Sequence, residues 1–148
     1  MGFKAGFVLP LAFLAFCGIA QSAESQGTAA QTVSATNRVV MQVSDGDPAK
    51  WNLALNNARN LQADLGARNV DIEIVAYGPG IGMLKLESPV ATRIGEALDA
   101  GVAVVACENT MAAQKLGKQD MLPRLGYVRA GVVEIMQKQQ QGYAYLRP

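Results

Sequence analysis

The most informative absence in this sequence of 148 residues is histidine, which does not occur at all. Histidine is the base of the Ser-His-Asp and Cys-His hydrolases, a common general base in other enzymes, and a frequent metal ligand. Its absence excludes those classes of active site. A nucleophile in this chain has to be activated without an imidazole.

Charged residues are also scarce, since they make up 17% of the chain. Thirteen Lys and Arg are balanced by twelve Asp and Glu, and no block of like charge occurs. A protein that binds nucleic acid through its phosphates needs a basic face, so the sequence predicts no nucleic-acid partner. Apolar residues reach 50%, which predicts one folded domain with a core of ordinary size.

The chain begins with a pattern typical of a secretory signal peptide. Lys4 supplies a positive charge, and an uncharged apolar stretch from Ala5 to Ala20 follows it. Cleavage after Ala20 or after Ser22 fits the small residues there. The stretch is shorter than the roughly 20 residues of a membrane-spanning helix, so we expect cleavage rather than an uncleaved anchor.

Cysteine occurs twice, as Cys17 and Cys107, and the two do not form a CxxC motif. Leu14 to Cys17 resembles a lipoprotein cleavage site, but Phe16 is too large for the position before the cysteine. We therefore expect residues 1–22 to be removed and the protein to be periplasmic or secreted, without a membrane attachment. The mature chain then keeps Cys107 alone, which excludes an intramolecular disulfide even in an oxidising compartment.

Residues 23–37 are small and polar without an apolar period, and they predict a flexible linker. The folded domain is expected over residues 38–148, with no internal repeat and no second domain. Within it, β-rich runs alternate with segments of helical spacing. This alternation predicts an α/β fold, a three-layer α/β/α sandwich around a mostly parallel sheet.

The individual elements follow from turn residues and apolar spacing. The predicted strands are Arg38–Ser44, Val70–Tyr77, Val102–Cys107, Tyr127–Val128 and Tyr143–Leu146. The predicted helices are one from Pro48 to Gly66, one capped by Ser88 with Pro89 in its first turn and closed by Gly101, one from about Thr110 to Leu116, and one marked by Val132, Ile135 and Met136.

Ligands of open α/β sheets bind beyond the carboxyl ends of the strands. Three predicted loops lie at that edge: residues 44–47, 77–82 and 107–110. Cys107 ends an apolar strand and precedes a helix, where backbone N–H groups and the helix dipole lower the pKa of a thiol. Cys107 is therefore the candidate nucleophile. The alternative is a packed, inert cysteine that completes a buried strand.

Four further residues are candidates for binding near this cysteine. Asn109 and Thr110 can cap the helix and donate to a bound group. Gly78 and Gly80 allow the loop backbone to approach a ligand or another subunit, or else form a structural turn. The loop is not GxGxxG, and Pro79 lacks an N–H group that a phosphate site needs. We predict no cofactor and no metal site.

The Asp45-Gly46-Asp47 segment allows a third interpretation, because aspartyl-phosphate enzymes use one Asp as nucleophile and the next as acid. Such an enzyme also needs a later lysine and a distal acidic pair for Mg²⁺, whereas the later Asp residues here are scattered singly. An Asx turn that caps the helix at Pro48 is the favoured interpretation.

Five segments of the predicted domain stand out by their order and spacing. They are Ala54–Leu61, Ile74–Gly80, Ala106–Thr110, Gly131–Ile135 and Gly142–Pro148. Together they resemble the DsrE/DsrF-like family over residues 38–148. The resemblance implies a parallel sheet of about five strands between helices, and assembly into trimers or hexamers. In some members a cysteine in the loop after a strand accepts a sulfane sulfur as a persulfide and passes it to a partner.

The resemblance thus implies an exported, homo-oligomeric sulfur-handling protein in which Cys107 accepts and relays sulfane sulfur. Asn109, Thr110 and the loop of Gly78 and Gly80 would line the site, and a sulfur donor or acceptor protein would be its partner. The alternative is a non-catalytic homo-oligomeric module that binds a small molecule or a partner protein, with Cys107 structural. A stoichiometric carrier and a sulfurtransferase leave the same sequence features, so turnover stays open.

Overall fold

Five strands and four α-helices alternate along residues 37–148. A computed structural model of the protein describes these residues and residues 1, 2 and 6. The strands are β1 (Asn37–Val43), β2 (Val70–Ala76), β3 (Ala103–Cys107), β4 (Gly126–Val128) and β5 (Ala144–Leu146). The α-helices are α1 (Pro48–Leu65), α2 (Ala91–Asp99), α3 (Glu108–Ala113) and α4 (Gly131–Gln140), and two 3₁₀ helices span Gly78–Leu84 and Lys118–Asp120.

All strand pairs are parallel, and the strand order across the sheet is β4-β3-β2-β1-β5. Parallel neighbours need crossover connections, and the helices supply them. Strand β2 lies at the centre, and its apolar run is buried on both faces, as the sequence of a parallel strand requires. The predicted α/β fold with a parallel five-stranded sheet is confirmed.

The two faces of the sheet are covered unequally. On one face, the larger core joins strand residues such as Met41 and Ile74 to α1, α2, α3 and the first 3₁₀ helix. On the other face, Ile135 of α4 packs on Val40, Val75 and Val105. The fold is therefore an α/β/α sandwich. The outer layer that contains α1, α2 and α3 is thick, and the outer layer that contains α4 is thin.

Helix α1 begins and ends as its sequence indicates. The Asp47 carboxylate accepts a hydrogen bond from the Ala49 N–H at 2.8 Å, and Pro48 occupies the first turn. Gly66 ends the helix with φ at 86°, in the left-handed region that favours glycine. The Asx cap inferred for this segment is confirmed.

Other boundaries differ from the expectation. Helix α2 begins at Ala91, because Ser88 and Pro89 form a turn that carries Val90 into the core at 2% exposure. Helix α3 begins at Glu108 instead of Thr110, which makes Cys107 its N-cap residue. A loop was expected over residues 77–82, but residues 78–84 form a 3₁₀ helix in which Ile81, Met83 and Leu84 are buried.

The predicted signal peptide, residues 1–22, and linker, residues 23–37, fall almost wholly outside the described residues and stay predictions. Asn37, which was assigned to the linker, is described and belongs to β1. Within the described part of the chain, none of the helices combines the length and apolar character needed to cross a membrane.

Candidate functional site

The carboxyl ends of the parallel strands meet at one edge of the sheet, and Cys107 lies there at the end of β3. Side chains alternate along a strand, so Cys107 faces α4, whereas its neighbour Ala106 faces the larger core. The side chain is 4% exposed. The position predicted for the nucleophile is therefore at the expected edge, but beneath the surface.

Burial and nearby polar groups act in opposite directions on the thiol of Cys107. Burial is the largest influence on its pKa and raises it. The hydroxyl of Thr110 and the backbone N–H groups of Gly131, Thr110 and Asn109 act in the opposite direction, and together they hold the pKa below its ordinary value. The Arg129 carbonyl lies 3.8 Å from the sulfur and can accept from the neutral thiol. The surroundings therefore lower the pKa of this thiol without any imidazole.

Thr110 connects the sulfur to the glycine-rich segment. Its Oγ1 accepts a hydrogen bond from the Gly78 N–H at 3.0 Å, which leaves the hydroxyl proton free to point at Cys107. The Gly78 carbonyl in turn accepts from the Gln114 side chain at 3.3 Å. Gly78, with φ at 53°, is thus joined to α3 through both of its backbone polar groups.

The other two predicted binding residues have different surroundings. Asn109 has an exposed side chain, and its N–H also donates to the Arg129 carbonyl at 3.0 Å. Gly80 approaches the backbone of β1, since a Cβ at this position would lie 2.2 Å from the Val43 carbonyl oxygen. The glycine was expected to let the loop backbone approach a ligand or another subunit, or to form a structural turn. The backbone of this residue instead packs closely on the sheet of its own chain.

Two residues beside Cys107 were given no role by sequence reasoning. Tyr77 follows β2, and its pKa is raised, first by burial and then by Tyr145 and Cys107, although Arg147 and Ser44 oppose the shift. Gly131 opens α4 against the Tyr77 ring. Both had a usable signal, because Tyr77 stands at the end of a predicted strand and Gly131 begins one of the five noted segments.

The acidic segment after β1 has structural partners. The Asp45 carboxylate lies 3.5 Å from Arg147, and the Asp45 carbonyl accepts from the Trp51 indole at 2.7 Å. Asp47 caps α1. Among the described residues, no three His, Cys, Asp or Glu side chains come together in a way that could hold a metal ion.

An open groove of about 430 Å³ runs beside α4. Its lining residues are Val128, Arg129, Ala130, Val133, Glu134 and Gln137. Arg129, whose carbonyl faces the sulfur of Cys107, belongs to this lining. The groove and the thiol thus share Arg129 as a neighbour, whereas Cys107 does not line the groove.

Comparison with known proteins gives a consistent result. Residues 37–148 match the model of the DsrE/DsrF-like family. The solved structure of a protein of unknown function from Methanobacterium thermoautotrophicum is 37% identical, with a TM-score of 0.72, and the alignment covers 76% of this chain and 99% of that one.

A second solved structure supports the fold alone. It is a conserved protein of unknown function from Bacteroides thetaiotaomicron, 17% identical with a TM-score of 0.63, and the alignment covers 78% of this chain and 98% of that one. No curated protein is similar enough to match.

Proposed function

Because the chain belongs to the DsrE/DsrF-like family, we propose that it handles sulfur, with Cys107 accepting a sulfane sulfur as a persulfide and passing it on. One observation carries the proposal. Cys107 stands at the carboxyl edge of the sheet as the N-cap residue of α3, and its pKa lies below the ordinary value because the Thr110 hydroxyl and the N–H groups of Gly131, Thr110 and Asn109 outweigh the effect of burial. A packed structural cysteine needs none of these donors.

The chemistry is a transfer between sulfur atoms. The Cys107 thiolate attacks the sulfane sulfur of a persulfide or polysulfide donor, and a new S–S bond forms. The S–S bond of the donor breaks, and its leaving sulfur takes the electron pair and a proton from water. The transferred sulfur is zero-valent, so no separate oxidant is needed. The terminal sulfur of the resulting persulfide is an anion, which the same N–H groups can stabilise.

Export and assembly belong to the same proposal. The leader pattern of residues 1–22 supports a periplasmic or secreted protein. Because the chain contains no histidine, the carrier would work without an imidazole. Homo-oligomerisation, as a trimer or hexamer, is supported by the apolar residues that α4 exposes, such as Val132 at 57% and Met136 at 49%. A sulfur donor or acceptor protein would be the further partner.

Intact-protein mass spectrometry tests the proposal. After incubation with inorganic polysulfide, the protein should gain the mass of one or more sulfur atoms, and a reductant should remove them. Cys107→Ser should abolish the gain while the circular dichroism spectrum stays unchanged. In the uncleaved chain, Cys17→Ser is the matched control and should still load. Sulfur loading that persists in the Cys107→Ser variant would end the proposal.

The alternative is a non-catalytic module that binds a small molecule or a partner protein, with Cys107 only packed. The 4% exposure of Cys107 and the groove beside α4 favour it. Thiol labelling separates the two functions. A thiol that reacts with iodoacetamide only after unfolding, in a protein that gains no sulfur, supports the binding module.

A further inference from the structure

Helix α4 begins with no free space between Gly131 and the sheet. A Cβ at Gly131 would lie 3.1 Å from both Cβ and Cδ1 of Tyr77 and 3.2 Å from Cγ1 of Val75. These distances are shorter than an ordinary van der Waals contact between carbon atoms. Gly131 is buried, and its φ lies outside the left-handed region. The glycine is therefore required by space and not by backbone conformation.

The atoms that Gly131 touches have little freedom to move. The Val75 side chain is fully buried in the centre of the sheet. Tyr77 is held at its backbone, where its N–H donates to the Val43 carbonyl at 3.1 Å. A larger residue at position 131 would consequently displace the first turn of α4 away from the sheet, because the sheet cannot yield.

The start of α4 lies beside the reactive sulfur, because the Arg129 carbonyl, two residues before Gly131, is 3.8 Å from the sulfur of Cys107. The Gly131 N–H lowers the pKa of this thiol from α4, whereas Asn109 and Thr110 act on it from α3. A shift of the first turn by a few tenths of an ångström would move the Gly131 N–H away from the sulfur while leaving the groups of α3 in place. The contact with Tyr77 thus determines how close the Gly131 N–H lies to the sulfur of Cys107.

We infer that Gly131 and Tyr77 are positioning residues, which seat the start of α4 so that the Gly131 N–H is held against the sulfur of Cys107. The inference rests on the proposed role of Cys107 as a thiolate, but not on any particular sulfur donor. It also assigns a reason to the Gly131–Ile135 segment, which was noted in the sequence without a role.

The test is the titration of the Cys107 thiol in the folded protein without any sulfur donor. The ultraviolet absorbance of the thiolate is followed against pH, with the Cys107→Ser variant as the blank, and the pH profile of iodoacetamide labelling is measured in parallel. For Gly131→Ala we expect the midpoint of the thiol titration to rise by about one pH unit, which is a tenfold lower proton concentration. The reason is that the Gly131 N–H stabilises the charged sulfur less well.

Gly95→Ala is the matched control, since an added Cβ at Gly95 in α2 meets nothing within 4 Å. It should leave the midpoint unchanged. A Gly131→Ala variant that folds and titrates like the wild-type protein would overturn the inference.

A second variant keeps the test decisive if Gly131→Ala does not fold. Tyr77→Ala removes the ring against which α4 begins, and it should move the midpoint in the same direction. In the Tyr77→Ala background, Gly131→Ala should have a smaller effect than alone, because one of its close contacts is already gone. An unchanged midpoint in Tyr77→Ala would contradict the inference.

The outcome is separable from that of the proposed function. Sulfur loading is measured by mass and thiol titration by absorbance, so either can fail alone. A shifted midpoint in Gly131→Ala, together with no sulfur gain in the wild-type protein, would leave the positioning role in place and remove the sulfur relay.

Discussion

At the sulfur of Cys107, burial and hydrogen bonding act in opposite directions on one ionisation. Burial raises the pKa of the thiol, the donors from Thr110, Gly131 and Asn109 lower it, and the donors prevail. The chain contains no histidine that could accept the proton. Activation of the cysteine therefore depends on how these donors are held.

Thr110→Val keeps the shape of the side chain but removes its hydroxyl, and with it both the group that lowers the pKa of Cys107 and the acceptor of the Gly78 N–H. We expect the pKa of Cys107 to rise, since burial is unchanged and a hydrogen bond to the thiolate is lost. The fraction of thiolate at a given pH falls as the pKa rises, so labelling by iodoacetamide at neutral pH should slow roughly three- to tenfold. Thr110→Ser keeps a hydroxyl and is the control. Identical pH profiles for the two variants would refute this role of the hydroxyl.

Individual site residues could be predicted where a strand end marked them. Cys107 ends β3 and Thr110 lies three residues later in α3, so chain order alone brings them together. Gly131 could not be assigned a role in this way, because its contact with Tyr77 joins elements more than fifty residues apart. That proximity depends on the path of the crossover from β4 to β5, and no local pattern encodes it.

On the element scale, α4 is attached to the sheet by a buried ion pair as well as by apolar contacts. Lys138 lies 2.7 Å from Glu73 of β2, whose side chain is 8% exposed, and 4.8 Å from the centre of the Tyr143 ring. Within the described structure, the second oxygen of Glu73 has no hydrogen-bond partner. Burial raises the pKa of Glu73, Lys138 opposes the shift, and Glu134 adds to it.

Removing only Lys138 should therefore cost more stability than removing the pair. We expect Lys138→Met to lower the free energy of unfolding at pH 7 by about 2 kcal/mol, because an unpaired carboxylate stays buried. Glu73→Leu combined with Lys138→Met should cost less than Lys138→Met alone. Urea denaturation of the three proteins measures both differences. A larger loss in the double variant would show that the pair itself stabilises the fold.

The pH dependence of this loss has a definite sign. The folded-state pKa of Glu73 is raised, so its contribution to stability is fully present below its unfolded pKa and is lost as the pH rises through the folded value. Without Lys138 the pKa of Glu73 rises further. The loss in Lys138→Met should therefore be largest at neutral pH and shrink as the solution is acidified towards the ordinary pKa of a glutamate.

For the whole molecule, the unequal cover of the two sheet faces is the dominant feature. Among the described residues, one ten-residue helix, α4, packs on the thin side. It exposes Val132, Val133 and Met136, and Tyr145 and Leu146 of the edge strand β5 are also more than a third exposed. Apolar residues that cluster at a surface are typical of protein interfaces.

The proposed homo-oligomer predicts that a charge on this side disrupts assembly. Met136→Glu should lower the molar mass of the particle, measured by light scattering after size-exclusion chromatography, towards that of a single chain. Leu53→Glu is the matched control, because Leu53 is 44% exposed on α1 at the opposite face. It should leave the mass unchanged. A wild-type protein that elutes as one chain would contradict the assembly.

The sequence by itself determined the class of fold and the position of the candidate cysteine. Alternating strand and helix periods, the Asp47 cap and the apolar run of β3 are local properties of the chain, and they predict a parallel α/β sheet with Cys107 at its carboxyl edge. The five noted segments identified the DsrE/DsrF-like family, which the match over residues 37–148 confirms.

Only the tertiary structure decided what surrounds the sulfur and how each face is covered. The seat of Gly131 on Tyr77, the bond from Gly78 to Thr110 and the pair of Glu73 with Lys138 each join residues at least thirty positions apart. The apolar period of a segment shows which of its sides is buried. It does not show which distant element packs against that side. Strand order and helix docking make that choice, because close packing admits few neighbours at each point of the core.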